Sequence, residues 1–163
     1  MRFDEQQYFR AATERMKQSR ILYARDDCYA IAMYTAGVAV ECMFRAFKLV
    51  RTSEFYEKHN LLQLFAQSHL LQLNEEVMAN RGPPEQILKS AQNIRACVND
   101  VHNLWANDYR YASESRLKSE LTRMKRYHGI KGDVLKACAC QLLNAAEKLI
   151  ERGAEIWTNL VKK

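Results

Sequence analysis

Glycine and proline are scarce in this sequence, with five glycines and two prolines among 163 residues. An all-β fold depends on many tight turns, and those turns draw heavily on both residue types. The sequence also lacks a phosphate-cradling glycine loop, a nucleophile elbow and paired metal-binding carboxylates. These absences argue against an all-β fold, nucleotide kinases, hydrolases of the usual folds and two-metal nucleases.

The cysteines are odd in number and form no C-x-x-C pair; they are Cys28, Cys42, Cys97, Cys138 and Cys140. Four of the five lie in apolar stretches with helical spacing, so we expect small buried hydrophobic residues in a reducing compartment. Their spacing relative to histidine does not match a zinc site. We therefore expect neither a metal site nor a cofactor.

Long apolar runs are also missing. Glu41 and Arg45 interrupt the longest one, which falls short of the roughly twenty residues of a membrane span. Residues 1–5 contain no apolar segment that could begin a secretory signal. We therefore expect a cytoplasmic protein without a membrane partner.

Basic residues exceed acidic ones, 25 to 19, which gives a formal net charge of +6. An excess of this sign favours polyanions such as RNA as partners. The excess is modest, and ordinary solubility is the alternative explanation.

Helical periodicity runs through most of the chain, and the clearest break is Asn80-Arg81-Gly82-Pro83-Pro84. The pattern predicts an all-α fold in a single domain, 1–163. We expect five main helices, near 3–24, 28–50, 61–73, 84–105 and 133–161, and a shorter basic helix near 113–127.

The second of these helices places Glu41 among small and apolar residues, so its carboxylate needs a fixed partner. Small residues there (Ala32, Ala36, Gly37 and Ala39) would let another helix approach closely. The small-residue run leading into Glu41-Cys42 and then Arg45 resembles the second helix of the HEPN superfamily. His59-Asn60-Leu61-Leu62, Arg110-Tyr111 and the final Ala154-Glu155-Ile156-Trp157 also resemble that superfamily, whereas the basic segment of about 113–131 looks like an insertion.

The resemblance implies an antiparallel helical bundle that pairs as a homodimer. Many HEPN domains are RNA-cleaving toxins or phage-defence proteins, and others are accessory partners of nucleotidyltransferases. Two positions depart from the family pattern. Ala96 follows Arg95 where active members usually have Asn, and Ala112 follows Arg110-Tyr111 where Pro is typical.

The strongest catalytic candidates are Arg95, Asn99 and His102, which project within about 60° of one another on a helix. A histidine can move protons at the ribose 2′-hydroxyl or the leaving oxygen. An arginine can clamp the scissile phosphate, and Asn99 could orient His102 or a phosphate oxygen. The six residues between Arg95 and His102 fit the Arg-to-His spacing of HEPN nucleases.

Arg123 and His128, with four residues between them, form a second pair of the same type. The alternative for either histidine is a hydrogen-bonded interface residue or a surface residue. We expect His59-Asn60 to serve a capping or turn role before the third helix.

Basic and aromatic residues after the fourth helix are candidates for RNA contact, because guanidinium groups bind phosphate and aromatic rings stack on bases. They are Arg110, Tyr111, Arg116, Lys118, Arg123, Lys125, Arg126 and His128. In the structural alternative, which we favour for Arg110, this arginine pairs with Glu41 or Asp108 while Trp105, Tyr109 and Tyr111 seal the core.

The sequence thus predicts an RNA-binding HEPN-type protein that acts as a metal-independent endoribonuclease in a toxin or defence system. The rival is a non-catalytic module that dimerises and docks a nucleotidyltransferase, an antitoxin or another partner. A scaffold that binds no nucleic acid is a third hypothesis.

Overall fold

The computed structural model describes residues 3–52, 58–79, 82–126 and 130–161. Within those ranges the chain is helical and forms no β-strand, so the predicted all-α class is confirmed. The helices are α1 (Glu5–Tyr23), α2 (Tyr29–Arg51), α3 (Leu61–Ser68), α4 (Leu70–Met78), α5 (Pro84–Leu104), α6 (Glu114–Arg123) and α7 (Val134–Val161), with a 3₁₀ turn at Asn107–Tyr111.

Side-chain caps and a proline define where several helices begin. Asp4 and Gln7 form a reciprocal capping box at α1, with Gln7 N 2.7 Å from the Asp4 carboxylate. Asn60 accepts a hydrogen bond from Gln63 N at 3.0 Å, which confirms the predicted capping role for this residue. Pro84 opens α5, where a missing N–H costs no helical hydrogen bond.

Helix α2 lies at the centre of the fold and packs against α1, α3, α7 and the 3₁₀ turn. Its close contact with α1 is marked by Ser19, whose hydroxyl donates to the Ala32 carbonyl at 2.9 Å. The close helix approach predicted from the small residues is therefore present at Ala32. Gly37 instead faces the indole ring of Trp105, which lies beyond the end of α5.

One apolar core receives residues from all seven helices, including Met16 on α1, Phe44 on α2, Leu121 on α6 and Leu142 on α7. Aromatic contacts tie the two ends of the chain to this core. The rings of Phe9 and Trp157 stack with their centroids 4.5 Å apart, and Phe47 meets Trp157 edge-on.

The predicted third helix is two helices, because His69 between α3 and α4 adopts a left-handed conformation with φ of 54°. Residues other than glycine are uncommon in that region, although histidine is enriched among them, and no glycine or proline signals the break in the sequence. The predicted basic helix near 113–127 is shorter than expected at its end, since α6 ends at Arg123.

By length and composition, α2 passes as a candidate membrane span, with a mean hydropathy of 1.3 over its most apolar stretch. That stretch is 72% buried inside the fold. The same test is met by the core helix of a globular protein, and the burial of α2 here shows that its apolar surface packs against the other helices.

Candidate functional site

The buried carboxylate of Glu41 is bound by Arg45 and His59. Arg45 lies one helical turn later and donates from Nη2 and Nε to Oε1, at 2.7 and 3.0 Å. Nδ1 of His59 lies 2.9 Å from both carboxylate oxygens. The expectation of a fixed partner for Glu41 is therefore confirmed, but the choice of Arg110 was wrong because Arg45 reaches Glu41 from the same helix.

The contact with Glu41 fixes how the His59 ring is protonated. A carboxylate paired with a guanidinium only accepts hydrogen bonds, so Nδ1 of His59 carries a hydrogen and donates it. In the neutral ring, the lone pair is then on Nε2. The His59 side chain is 46% exposed, in contrast to 7% for Glu41, so the imidazole connects the interior to the surface.

His59 and His102 line the same cleft, which has a volume of about 440 Å³ and is called the histidine cleft below. It lies between the start of α3 and the last turn of α5. The other lining residues are Lys58, Asn60, Leu61, Trp105, Ala106 and Asn107. Two imidazoles, an ammonium group and two side-chain amides therefore surround one open space.

Trp105 lines one side of the histidine cleft. Its indole Nε1 donates to the Tyr34 carbonyl at 3.1 Å, and 92% of its surface is buried. A Cβ atom at position 37 would overlap the indole ring, so only glycine lets Trp105 lie against α2 here.

The predicted catalytic strip is exposed along α5. Arg95, Asn99 and His102 all lie at the surface, and only His102 lines the histidine cleft. Arg95 precedes His102 by seven residues, about 10 Å along the helix axis. Among the residues that the structure describes, none forms a hydrogen bond or ion pair with these three side chains.

A second cleft of about 460 Å³ brings together Tyr111, Arg116 and Arg123, and is called the aromatic cleft below. The guanidinium of Arg110 lies over the Tyr111 ring, 4.6 Å from its centroid. Tyr111 is 77% exposed, so the expectation that it seals the core was wrong. Tyr109 is half-buried, and burial raises the pKa of its hydroxyl, as do the charges of Glu120 and Cys138.

Of the remaining basic residues predicted to contact RNA, some form ion pairs with acidic side chains. Lys118 pairs with Asp133 at 2.8 Å, which lowers the pKa of that carboxyl through the side-chain hydrogen bond. Arg123 pairs with Glu120 in the aromatic cleft. Lys125 is exposed, Arg126 is half-buried, and His128 lies outside the described residues, as does its proposed pairing with Arg123.

Ala106 lines both clefts, so the histidine cleft and the aromatic cleft adjoin at the start of the 3₁₀ turn. This turn, Asn107–Tyr111, carries Asn107 into the first cleft and Tyr111 into the second. The two clefts together are lined by imidazole, amide, aromatic and guanidinium groups.

The described part of the chain contains no group of three or more His, Cys, Asp or Glu residues that could hold a metal ion. All five cysteines are free thiols. Burial raises the pKa of Cys42 to about 11, and the neighbouring Glu41 carboxylate adds to the effect.

Sequence reasoning missed the role of His59. The sequence did carry part of the signal, because Arg45 follows Glu41 by four residues and such residues are neighbours on a helix. Once Arg45 occupies one side of the carboxylate, a second donor must come from outside α2. His59 lies 18 residues after Glu41, and its capping position next to Asn60 concealed it.

No protein-family model matches this chain, and no curated protein or solved structure is significantly similar to it. The relationship to the HEPN superfamily therefore stays a prediction that rests on the motifs quoted above.

Proposed function

We propose that this protein is an RNA-binding HEPN-type domain that cleaves RNA without a metal ion. The observation that supports the proposal best is the adjoining pair of clefts. One cleft offers His102 for proton transfer, and the other offers Tyr111 and Arg116 for stacking on a base and binding phosphate.

The reaction needs an acid or base near the scissile phosphate and a positive charge to stabilise the transition state. His102 is exposed, lines the histidine cleft and serves as the general acid/base in this proposal. Arg95 clamps the phosphate, and Asn99 between them on the same strip orients His102 or a phosphate oxygen.

A homodimer is part of the proposal, and an exposed leucine on α5 supports it. Leu88 is 61% exposed and lies two turns before Arg95 on the same strip. In an antiparallel bundle of the HEPN type, a second copy would cover Leu88 and bring two copies of Arg95 and His102 toward one wider cleft. We place this dimer in the cytoplasm, in a toxin or defence system.

The cleavage test uses the purified full chain, mixed RNAs and EDTA. We expect wild-type cleavage, and losses of about 10²-fold to 10⁴-fold for His102→Ala, since general acid–base catalysis contributes about that much. Arg95→Ala should lower the rate as well. His69→Asn is the matched control, because His69 is exposed, lies outside both clefts and has a left-handed conformation that Asn accepts. RNA left intact by the wild type would refute the nuclease.

The binding test uses a fluorescent single-stranded RNA and fluorescence anisotropy. Tyr111→Ala should weaken binding by about fivefold to 150-fold, because base–aromatic stacking contributes about 1–3 kcal/mol. Arg116→Ala should also flatten the dependence of affinity on salt. Lys148→Ala is the charge-matched control, since Lys148 lines the groove between α5 and α7.

The non-catalytic interaction module is supported by the acids near the aromatic cleft. Glu120 pairs with Arg123, and Asp108 lies in the same lining, so the positive charge there is partly offset. In that hypothesis, exposed Tyr111 contacts a protein such as a nucleotidyltransferase or an antitoxin. Absence of RNA binding at moderate salt, with a stable complex between the chain and such a partner, would favour the module.

A further inference from the structure

We infer that His59 is a second catalytic histidine of the histidine cleft, acting as the general base while His102 acts as the general acid. This inference rests on the proposed function, because it assigns roles within the same RNA-cleaving site. It adds to this site a catalytic residue that lies outside α5, the helix that carries Arg95 and His102.

The first support is that the two imidazoles line one cleft of about 440 Å³. Cleavage of RNA without a metal requires one group that removes a proton and another that supplies one. A single histidine would have to do both in sequence at two different oxygens. Two imidazoles in one open cleft meet the requirement directly.

The second support is the orientation of the His59 ring. Glu41 holds Nδ1 through hydrogen bonds of 2.9 Å to both carboxylate oxygens. Nε2, on the opposite side of the ring, is therefore directed away from the buried carboxylate. In the neutral ring this atom carries the lone pair, so it is ready to accept a proton. Glu41 is the positioning residue of this pair, and Arg45 in turn fixes Glu41.

The third support is the contrast between the two histidines. Nδ1 of His59 is held by the Glu41 carboxylate, so the lone pair of its neutral ring lies on Nε2, as a base requires. His102 has no such partner among the described residues and faces the cleft from the last turn of α5. The asymmetry assigns proton removal to His59 and proton donation to His102.

In this reaction the two histidines supply and accept all of the protons that are transferred, so no other reactant is needed. Nε2 of His59 takes the proton of the ribose 2′-hydroxyl while that oxygen forms a bond to the adjacent phosphorus. The bond from phosphorus to the 5′-oxygen breaks, and protonated His102 gives its proton to this leaving oxygen. The products are a 2′,3′-cyclic phosphate and a 5′-hydroxyl end, and exchange with water restores both imidazoles.

The decisive variant is His59→Asn. The side-chain amide of Asn can put an N–H near the position of Nδ1, so it keeps a donor for Glu41 but has no atom that can take up a proton. His59→Asn should therefore fold normally and lose at least about 10²-fold in cleavage rate. Circular dichroism and thermal unfolding verify the fold, and His69→Asn is the control at an exposed histidine.

The dependence of the cleavage rate on pH separates the two roles. The wild type should give a bell-shaped profile, since the base must be neutral and the acid protonated. His59→Asn should lose the rise on the acidic side, and His102→Ala should lose the fall on the alkaline side. Cleavage by His59→Asn within threefold of the wild type, with the acidic limb intact, would overturn the inference while the proposed function survives.

A binding experiment gives a readout other than cleavage. Uridine 3′-monophosphate is added to ¹⁵N-labelled protein, and the imidazole nitrogens are followed by NMR. We expect the Nε2 resonances of His59 and His102 to shift together and those of His69 to stay in place. A shift of His102 alone would overturn the role of His59. If the wild type leaves every RNA intact, both the proposed function and this inference fall.

Discussion

Replacing Glu41 by Gln tests the buried network on which both the fold and the histidine cleft depend. The side chains of Glu41 and Arg45 are each 7% exposed, so the substitution removes the negative charge from a buried ion pair whose atoms lie 2.7 Å apart. Removing one partner of a buried pair typically costs about 3–5 kcal/mol. His59 is half-exposed, so the loss of its hydrogen bond adds no more than about 1 kcal/mol.

The size of the coupling comes from a double-mutant cycle with Glu41→Leu, Arg45→Met and the double variant. Each single variant should lose about 3–5 kcal/mol of unfolding free energy, because each removes one partner of the buried ion pair. The double variant should be more stable than either single one, since it replaces both members of the ion pair by apolar side chains. Urea unfolding followed by circular dichroism at 222 nm measures all four proteins.

Single variants that lose less than about 1 kcal/mol would contradict the buried pair. So would a double variant whose loss equals the sum of the single losses, because residues in contact are expected to show an interaction energy. If the slope of the unfolding free energy against urea concentration is unchanged, the variants expose the same surface area on unfolding as the wild type.

Two further substitutions test the packing of α2. Gly37→Ala should lower the unfolding free energy by about 1–3 kcal/mol and shift tryptophan fluorescence, because the new methyl group overlaps the Trp105 ring. Gly153→Ala, where the added group meets the flexible Met43 side chain, should cost less in the same urea assay. Cys42→Ala tests the alkaline limit of stability: with a folded pKa of about 11 against an unfolded value near 9.0, the native thiol keeps its proton longer. Wild-type stability should therefore fall by about 1.4 kcal/mol per pH unit between those values, and the variant should fall less steeply.

Most of the helices were predictable because their apolar residues recur with helical spacing. The bounds of α1, α2, α5 and α7 agree with the sequence prediction to within about two residues. The break at His69 was not predictable, because the sequence there has no glycine or proline and most residues of this type keep a negative φ. For the 3₁₀ turn at Asn107–Tyr111, the only indication in the sequence was the pair Asn107-Asp108, which marks an interruption of the helical pattern.

The candidate site was predictable only in part. The sequence identified His102 and the exposed strip on α5, since a helix fixes which residues share a face. It also identified Tyr111 and Arg116, which the structure brings into one cleft. It did not identify His59, because the contact between His59 and Glu41 joins residues 18 positions apart across a change of direction in the chain.

His59 has one ring nitrogen bound to a residue of the central helix and the rest of its ring in an open cleft. A ligand in the histidine cleft that favours one orientation or charge of the His59 ring must also change the strength of the contact between His59 and Glu41. By reciprocity, a substitution in α2 that strengthens or weakens the contact between Glu41 and His59 must change the affinity of the histidine cleft for its ligand. A ligand of the histidine cleft would then also raise the melting temperature of the protein, because it would bind only the folded state.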